Sequence, residues 1–119
     1  MSLRRAIATV LLACVAAQAS AHAFLDRAEP RVGSTVHPAP RELRLWFSQE
    51  LEPAFSTVKV LDNAGRRVDS ANARVDPADH SLLRVSLQAL GPGVYTVAWR
   101  AVSVDTHATE GSFVFHVGE

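Results

Sequence analysis

Residues 93–117 read GVYTVAWRAVSVDTHATEGSFVFHV and contain two stretches in which apolar side chains recur at every second position. The apolar positions are Tyr95, Val97, Trp99 and Ala101 in the first stretch and Phe113, Phe115 and Val117 in the second. Successive side chains of a β-strand point to opposite faces, so a period of two predicts strands with one buried face. The segment therefore indicates a β-protein.

The same period of two appears in residues 43–47, 57–60 and 83–87, and turn-forming residues separate these stretches. The turn signals include Pro30 with Gly33, Pro38 with Pro40, residues 63–65, Asp76-Pro77 and residues 91–93. No stretch has the period of a long helix, which a parallel crossover would need. We therefore predict an all-β fold of about seven strands, either an immunoglobulin-like antiparallel β-sandwich or a Greek-key β-barrel.

The first 21 of the 119 residues have the organisation of a secretory signal peptide. Arg4 and Arg5 precede an uncharged stretch over residues 6–17, and residues 19–21 form an Ala-Ser-Ala cleavage site. We expect a signal peptide at 1–21, one domain at 22–119 and a periplasmic location. A competing interpretation is that residues 11–14 form a lipoprotein cleavage box and that Cys14 becomes lipidated. Only cleavage after Ala21 leaves a free amino group on His22.

Removal of residues 1–21 leaves 10 Lys and Arg against 12 Asp and Glu residues, a formal charge of −2. This balance argues against a nucleic-acid-binding protein, which would carry a basic face. The remaining chain has no cysteine, and no segment of it has the roughly 20 apolar residues of a membrane span. Its stability must therefore come from a hydrophobic core without disulfides.

Asp105 and His107 are two positions apart. If this backbone is extended, both side chains emerge on one face about 7 Å apart, close enough to bind one metal ion. The alternative is that Asp105 only orders a loop by accepting backbone hydrogen bonds. The other histidines after residue 22 have no such context and are expected to be solvated or structural: His37, His80 and His116.

His22 becomes a chelating residue if it is the first residue of the processed chain. Its amino group and its imidazole nitrogen then bind one metal in a single ring, and the metal displaces the amine proton near neutral pH. With Asp105 and His107 the donors are three nitrogens and one oxygen. This set suits Cu(II), although Zn(II) accepts the same atoms.

These residues belong to longer stretches through which the sequence resembles the CopC family of periplasmic copper-binding proteins. The stretches are HAFLDRAEPRVGS after the predicted cleavage site, RELRLWFSQEL, GVYTVAWRAVSVDTHATEG and SFVFHV. The resemblance implies an immunoglobulin-like β-barrel that binds one Cu(II) ion through His22, Asp105 and His107. It also implies a non-enzymatic copper carrier or buffer in copper resistance or homeostasis, with a CopD-like inner-membrane copper transporter as a partner.

The sequence departs from some members of that family at two points. Residues 22–119 contain no methionine, which excludes a thioether site for Cu(I). Gln49 follows Phe47-Ser48 where some relatives have a glutamate, and an amide is a weaker partner for a cation.

Two other functions fit part of the pattern. A copper centre with an N-terminal histidine also resembles lytic polysaccharide monooxygenases, but the aromatic residues lie in strands and Asp105 would occupy space that oxygen needs. The other is a metal-free accessory β-sandwich in which Asp105 only braces a loop.

Overall fold

A computed structural model describes residues 22–119, so the predicted signal peptide at 1–21 and Cys14 lie outside the described residues. Residues 22–119 form strands, turns and bends. In this part of the chain there is no helix of the length and apolar character that crossing a bilayer requires. The eight strands are β1 (Leu25–Glu29), β2 (Thr35–Val36), β3 (Glu42–Phe47), β4 (Thr57–Leu61), β5 (Arg74–Val75), β6 (Leu82–Ser86), β7 (Gly93–Val102) and β8 (Ala108–Val117).

The strands form two four-stranded sheets with the orders β1-β3-β6-β5 and β2-β8-β7-β4. This confirms the predicted β-sandwich, while the alternative of a closed barrel is wrong because no ladder of residues 22–119 joins one sheet to the other. The pairing of β2 with β8 is parallel, unlike the antiparallel arrangement expected throughout. The chain reaches β2 by leaving β1 of the opposite sheet, so no hairpin dictates its direction.

The core lies between the sheets and consists of the inward-facing side chains of the longer strands. Its fully buried members include Leu43, Leu45, Val60, Leu83, Val85, Val97 and Phe115. They occupy alternate positions, as the period of two predicts, while their neighbours in sequence are mostly more exposed. Burial of these side chains stabilises the fold by roughly 1.5–3 kcal/mol each.

Trp99 is partly buried against the core and needs a glycine beside it. Its ring meets Phe47 of the other sheet edge-on, with the ring centroids 5.1 Å apart. Gly111 lies directly opposite Trp99 in the β7–β8 ladder. A Cβ atom at Gly111 would overlap the indole, for example at 2.7 Å from Cε2 of Trp99. The indole therefore occupies the space that a side chain at position 111 would fill.

Asp69 places a carboxylate inside the protein, beside the edge of β4. Its Oδ2 accepts a hydrogen bond from the Val60 N–H at 2.8 Å, and its Oδ1 accepts one from the Ala71 N–H at 2.8 Å. Nε of Arg67 lies 3.0 Å from both oxygens. Burial acts to raise the pKa of Asp69, but these hydrogen bonds outweigh it and leave the pKa below its usual value.

Substitution Gly111→Ala should lower the free energy of unfolding by about 1–3 kcal/mol, because the new methyl group must displace an indole that Phe47 holds in place. Gly91→Ala is the matched control, since a Cβ there meets nothing within 4 Å. Urea denaturation of both variants measures the difference. Equal midpoints would show that Trp99 moves aside freely.

Substitution Asp69→Asn should destabilise the protein by about 2–3 kcal/mol at neutral pH, because a buried acceptor of charge-assisted hydrogen bonds is lost. Since the pKa of Asp69 is lowered in the folded state, its contribution is present above about pH 4 and is lost as the pH falls through the folded value. Urea midpoints between pH 7 and pH 2 should therefore converge for the two proteins at the acidic end. A constant gap would contradict this assignment.

Candidate metal centre

Three segments from distant parts of the chain meet at one end of the sandwich. They are residues 22–24, here called the strap, the bend at residues 48–52 after β3, and the turn at residues 103–107 between β7 and β8. The Val104 N–H donates to the Glu50 carbonyl at 3.2 Å, and Leu51 forms an isolated bridge with Ser103. The bend thus connects the β7–β8 turn to the sheet that contains β1 and β3.

The turn at residues 103–107 reverses the chain between two ten-residue strands. The Ser103 N–H donates to the His107 carbonyl at 3.0 Å, and the Thr106 N–H donates to the Ser103 carbonyl at 2.8 Å. Thr106 has a φ of 73°, in the left-handed region. The spacing argument for Asp105 and His107 assumed an extended backbone, and this assumption is therefore wrong. The side chains meet because the turn is tight, with Oδ2 of Asp105 3.3 Å from Nδ1 of His107.

Asp105 is ionised at neutral pH in this environment. The buried hydroxyl of Ser103 donates to Oδ1 of Asp105 and lowers the pKa of that carboxyl below its usual range, and His107 adds to the effect. Part of that contribution comes from the backbone of His107, so Asp105 also braces the turn, as the alternative interpretation held. A braced carboxylate remains a suitable ligand, because it is negative and 42% of the side chain is exposed.

His22 lies next to His107 although the two residues are far apart in sequence. Their ring centroids are 4.9 Å apart with an angle of 41° between the planes. His22 is exposed, and 53% of the His107 side chain is accessible. The structure thus brings together all three residues that the sequence analysis proposed as metal ligands, with His107 at the centre of two contacts.

The three side chains do not yet form a closed cage. Within residues 22–119 no three His, Cys, Asp or Glu side chains already surround one point at metal-binding distance. The predicted set includes three such side chains, so those of His22, Asp105 and His107 must move closer together to bind one ion. Two imidazoles, a carboxylate and an amine are donors that suit Cu(II), so the residues present fit this ion.

Gln49 and the other histidines have no visible part in the centre. Gln49 is exposed in the bend, and within the described chain no hydrogen bond joins its side chain to Asp105 or His107. The remaining histidines are exposed or half-buried and form no ion pair among residues 22–119: His37, His80 and His116.

Sequence reasoning missed the hydroxyl groups that hold this end of the molecule. Ser103 bonds Asp105, Ser48 bonds the backbone of the strap, and Thr109 donates to the Ala23 carbonyl at 2.6 Å. Serine and threonine are common in strands and turns, so their positions gave no local signal. The groups to which these hydroxyls bond become known only from the folded structure.

Comparison with known proteins extends the likeness over most of the chain. The CopC domain family matches residues 25–118. Protein YobA of Escherichia coli strain K12 is 36% identical over 117 residues, which cover 98% of this chain and 94% of YobA. Copper resistance protein C of Escherichia coli is 37% identical over 110 residues, with 87% and 86% covered. In copper transport protein CutJ of Bacillus subtilis, a 31% identical region of 100 residues makes up 18% of that protein.

Solved structures agree with these sequence relationships. The crystal structure of CopC from Methylosinus trichosporium OB3b superposes with a TM-score of 0.76 at 32% identity, covering 82% of this chain and 94% of that one. PcoC, a methionine-rich copper resistance protein from Escherichia coli, superposes with a TM-score of 0.69 at 35% identity, covering 82% and 99%. On its sequence and its fold, the chain is a member of the CopC family.

Proposed function

We propose that this protein binds one Cu(II) ion in the periplasm and acts as a copper carrier or buffer in copper resistance or homeostasis. The observation that carries the proposal is the placement of the His22 ring 4.9 Å from the His107 ring, with Asp105 3.3 Å from His107. Relatives named for copper resistance and copper transport support copper as the ion. Membership of this family of copper proteins also means that the chain is not an enzyme.

Each proposed ligand has a distinct role. The amine and imidazole of His22 chelate the ion, and the imidazole of His107 supplies the third nitrogen. Asp105 supplies an oxygen and a negative charge, which lowers the net charge of a bound divalent cation. Its low pKa keeps this charge available at neutral pH.

Export is part of the proposal because the chelate requires processing. In the full chain, the nitrogen of His22 belongs to a peptide bond with Ala21. Cleavage after Ala21 converts it into an amine, which a metal can deprotonate and bind near neutral pH. The basic start, the uncharged stretch and the Ala-Ser-Ala site of residues 1–21 support such cleavage.

Delivery to a CopD-like inner-membrane transporter is the finer part of the proposal. The proposed ligands are exposed at one end of the sandwich, where an acceptor can approach them directly. Phe24 and Val104 beside them are also exposed, at 53% and 58%. A protein that approaches the proposed ligands would therefore contact apolar side chains as well. The longer relative CutJ, a copper transport protein, contains a region similar to this chain as a small part of its length.

The two other candidate functions have less support. A monooxygenase needs open coordination positions for oxygen, and Asp105 already lies within 3.3 Å of His107. A metal-free role for Asp105 in bracing the turn does not explain why His22 lies against His107.

Protein that begins at His22 should bind one equivalent of Cu(II) tightly. His22→Ala and His107→Ala should each weaken binding by more than the roughly 10–100-fold typical of losing an outer-sphere partner, because each removes a direct ligand. Competition with a chelator, monitored by d-d absorption and electron paramagnetic resonance, measures the affinities. His80→Ala is the matched control and should bind like the wild type. Unchanged affinity in His107→Ala would refute the assigned site.

One additional alanine before His22 should weaken Cu(II) binding strongly, because a peptide nitrogen replaces the chelating amine. One alanine added after Glu119 is the control, since it changes chain length and leaves the His22 amine intact. The same competition assay compares the two extended proteins. Equal affinities would show that the amino group is not a ligand.

A further inference from the structure

The strap is held by two hydroxyl groups that come from opposite sheets. Ser48, the residue directly after β3, accepts a hydrogen bond from the Phe24 N–H at 2.8 Å and donates to the His22 carbonyl at 3.4 Å. Thr109, in β8, donates to the Ala23 carbonyl at 2.6 Å. The three strap residues are thus bonded through their main chain to both layers of the sandwich.

These bonds determine which side chains of the strap face the protein. The Ala23 side chain is completely buried, whereas His22 and Phe24 on either side of it are exposed. The alternation is that of a strand, so a shift of one residue would bury His22 and turn it away from His107. Since Thr109 holds the Ala23 carbonyl, it opposes such a shift.

Thr109 also links the strap to the turn that carries the other proposed ligands. It is the second residue after His107 and the second residue of β8, next to the turn. Ser48 begins the bend whose Glu50 carbonyl accepts the Val104 N–H of the same turn. Each hydroxyl therefore connects His22 to Asp105 and His107 through a short stretch of backbone.

We propose that Ser48 and Thr109 are positioning residues of the metal centre, which hold His22 against His107 before the ion arrives. This rests on the proposed copper site for its functional meaning. A ligand already in place loses less conformational freedom on binding, so the site gains affinity without any additional donor. The hydroxyl groups of Ser48 and Thr109 bond backbone groups of the strap, and we do not assign them as ligands.

Ser48→Ala and Thr109→Val should each weaken Cu(II) binding by about 10–100-fold, the usual effect of removing an outer-sphere partner. Both variants keep the amine and the ring of His22. If His22 no longer lies against His107, an ion bound by His22 should lose the His107 nitrogen, and the paramagnetic resonance spectrum should then indicate fewer nitrogen ligands. Thr109→Ser, which keeps the hydroxyl, should restore binding. Ser112→Ala is the control, because it removes an exposed hydroxyl group from the same strand as Thr109.

A double-variant cycle separates positioning from a general loss of stability. If Ser48 acts by bringing His22 to His107, then Ser48→Ala should cost little affinity in a His107→Ala background. The same loss in both backgrounds would contradict the positioning role. Thermal unfolding of the metal-free variants shows whether they remain folded at the temperature of the assay.

A metal-free measurement tests the inference even if copper does not bind. In apo protein beginning at His22, nuclear Overhauser contacts between the rings of His22 and His107 should be present and should weaken in Ser48→Ala and Thr109→Val, but persist in Ser112→Ala. Unaltered contacts in the first two variants would overturn the inference. A wild type that shows these contacts but binds no copper would overturn the proposed function alone.

Discussion

The antiparallel ladder between β7 and β8 is the interaction on which the rest of the molecule depends. It pairs ten residues of each strand, from Gly93 opposite Val117 to Val102 opposite Ala108. β4 extends the sheet beside β7, and β2 extends it beside β8. The ladder leaves five residues for the reversal, so its turn must be tight, and that turn carries Asp105 and His107. The pairing that builds half of the core therefore also places two of the proposed ligands.

The proposed third ligand precedes a strand of the other sheet, so the geometry of the centre depends on how the two layers pack together. His22 precedes β1, which pairs with β3, while Asp105 and His107 follow β7. Contacts between Phe47 and Trp99, one from each layer, lie in the core near the same end. Residues 22–119 include no cysteine, so close packing and hydrogen bonds such as that from Thr109 to the Ala23 carbonyl must hold the layers in register.

The nature of the donors separates this chain from a methionine-rich relative of the same fold. PcoC is described as methionine rich, whereas the single methionine here is Met1. Thioether sulfur favours Cu(I), while imidazole, amine and carboxylate favour the oxidised ion. The two proteins superpose with a TM-score of 0.69, so the same sandwich fold occurs both with and without a methionine-rich composition. The preference for one oxidation state, as proposed above, would then depend on the side chains and not on the fold.

The amino-acid sequence by itself determined the class of fold, the inward faces of the main strands and the three residues of the candidate centre. Burial with a period of two depends only on positions that are close together in sequence. The same is true of the spacing of Asp105 and His107 and of the cleavage pattern before His22, so all three features could be recognised without a structure. Tertiary structure alone decided the parallel pairing of β2, the tight turn in place of an extended segment, and the parts played by Ser48, Ser103 and Thr109. These features depend on contacts between residues up to 86 positions apart, such as Thr109 with Ala23. A hydroxyl acquires such a role only when folding brings its partner within hydrogen-bonding distance.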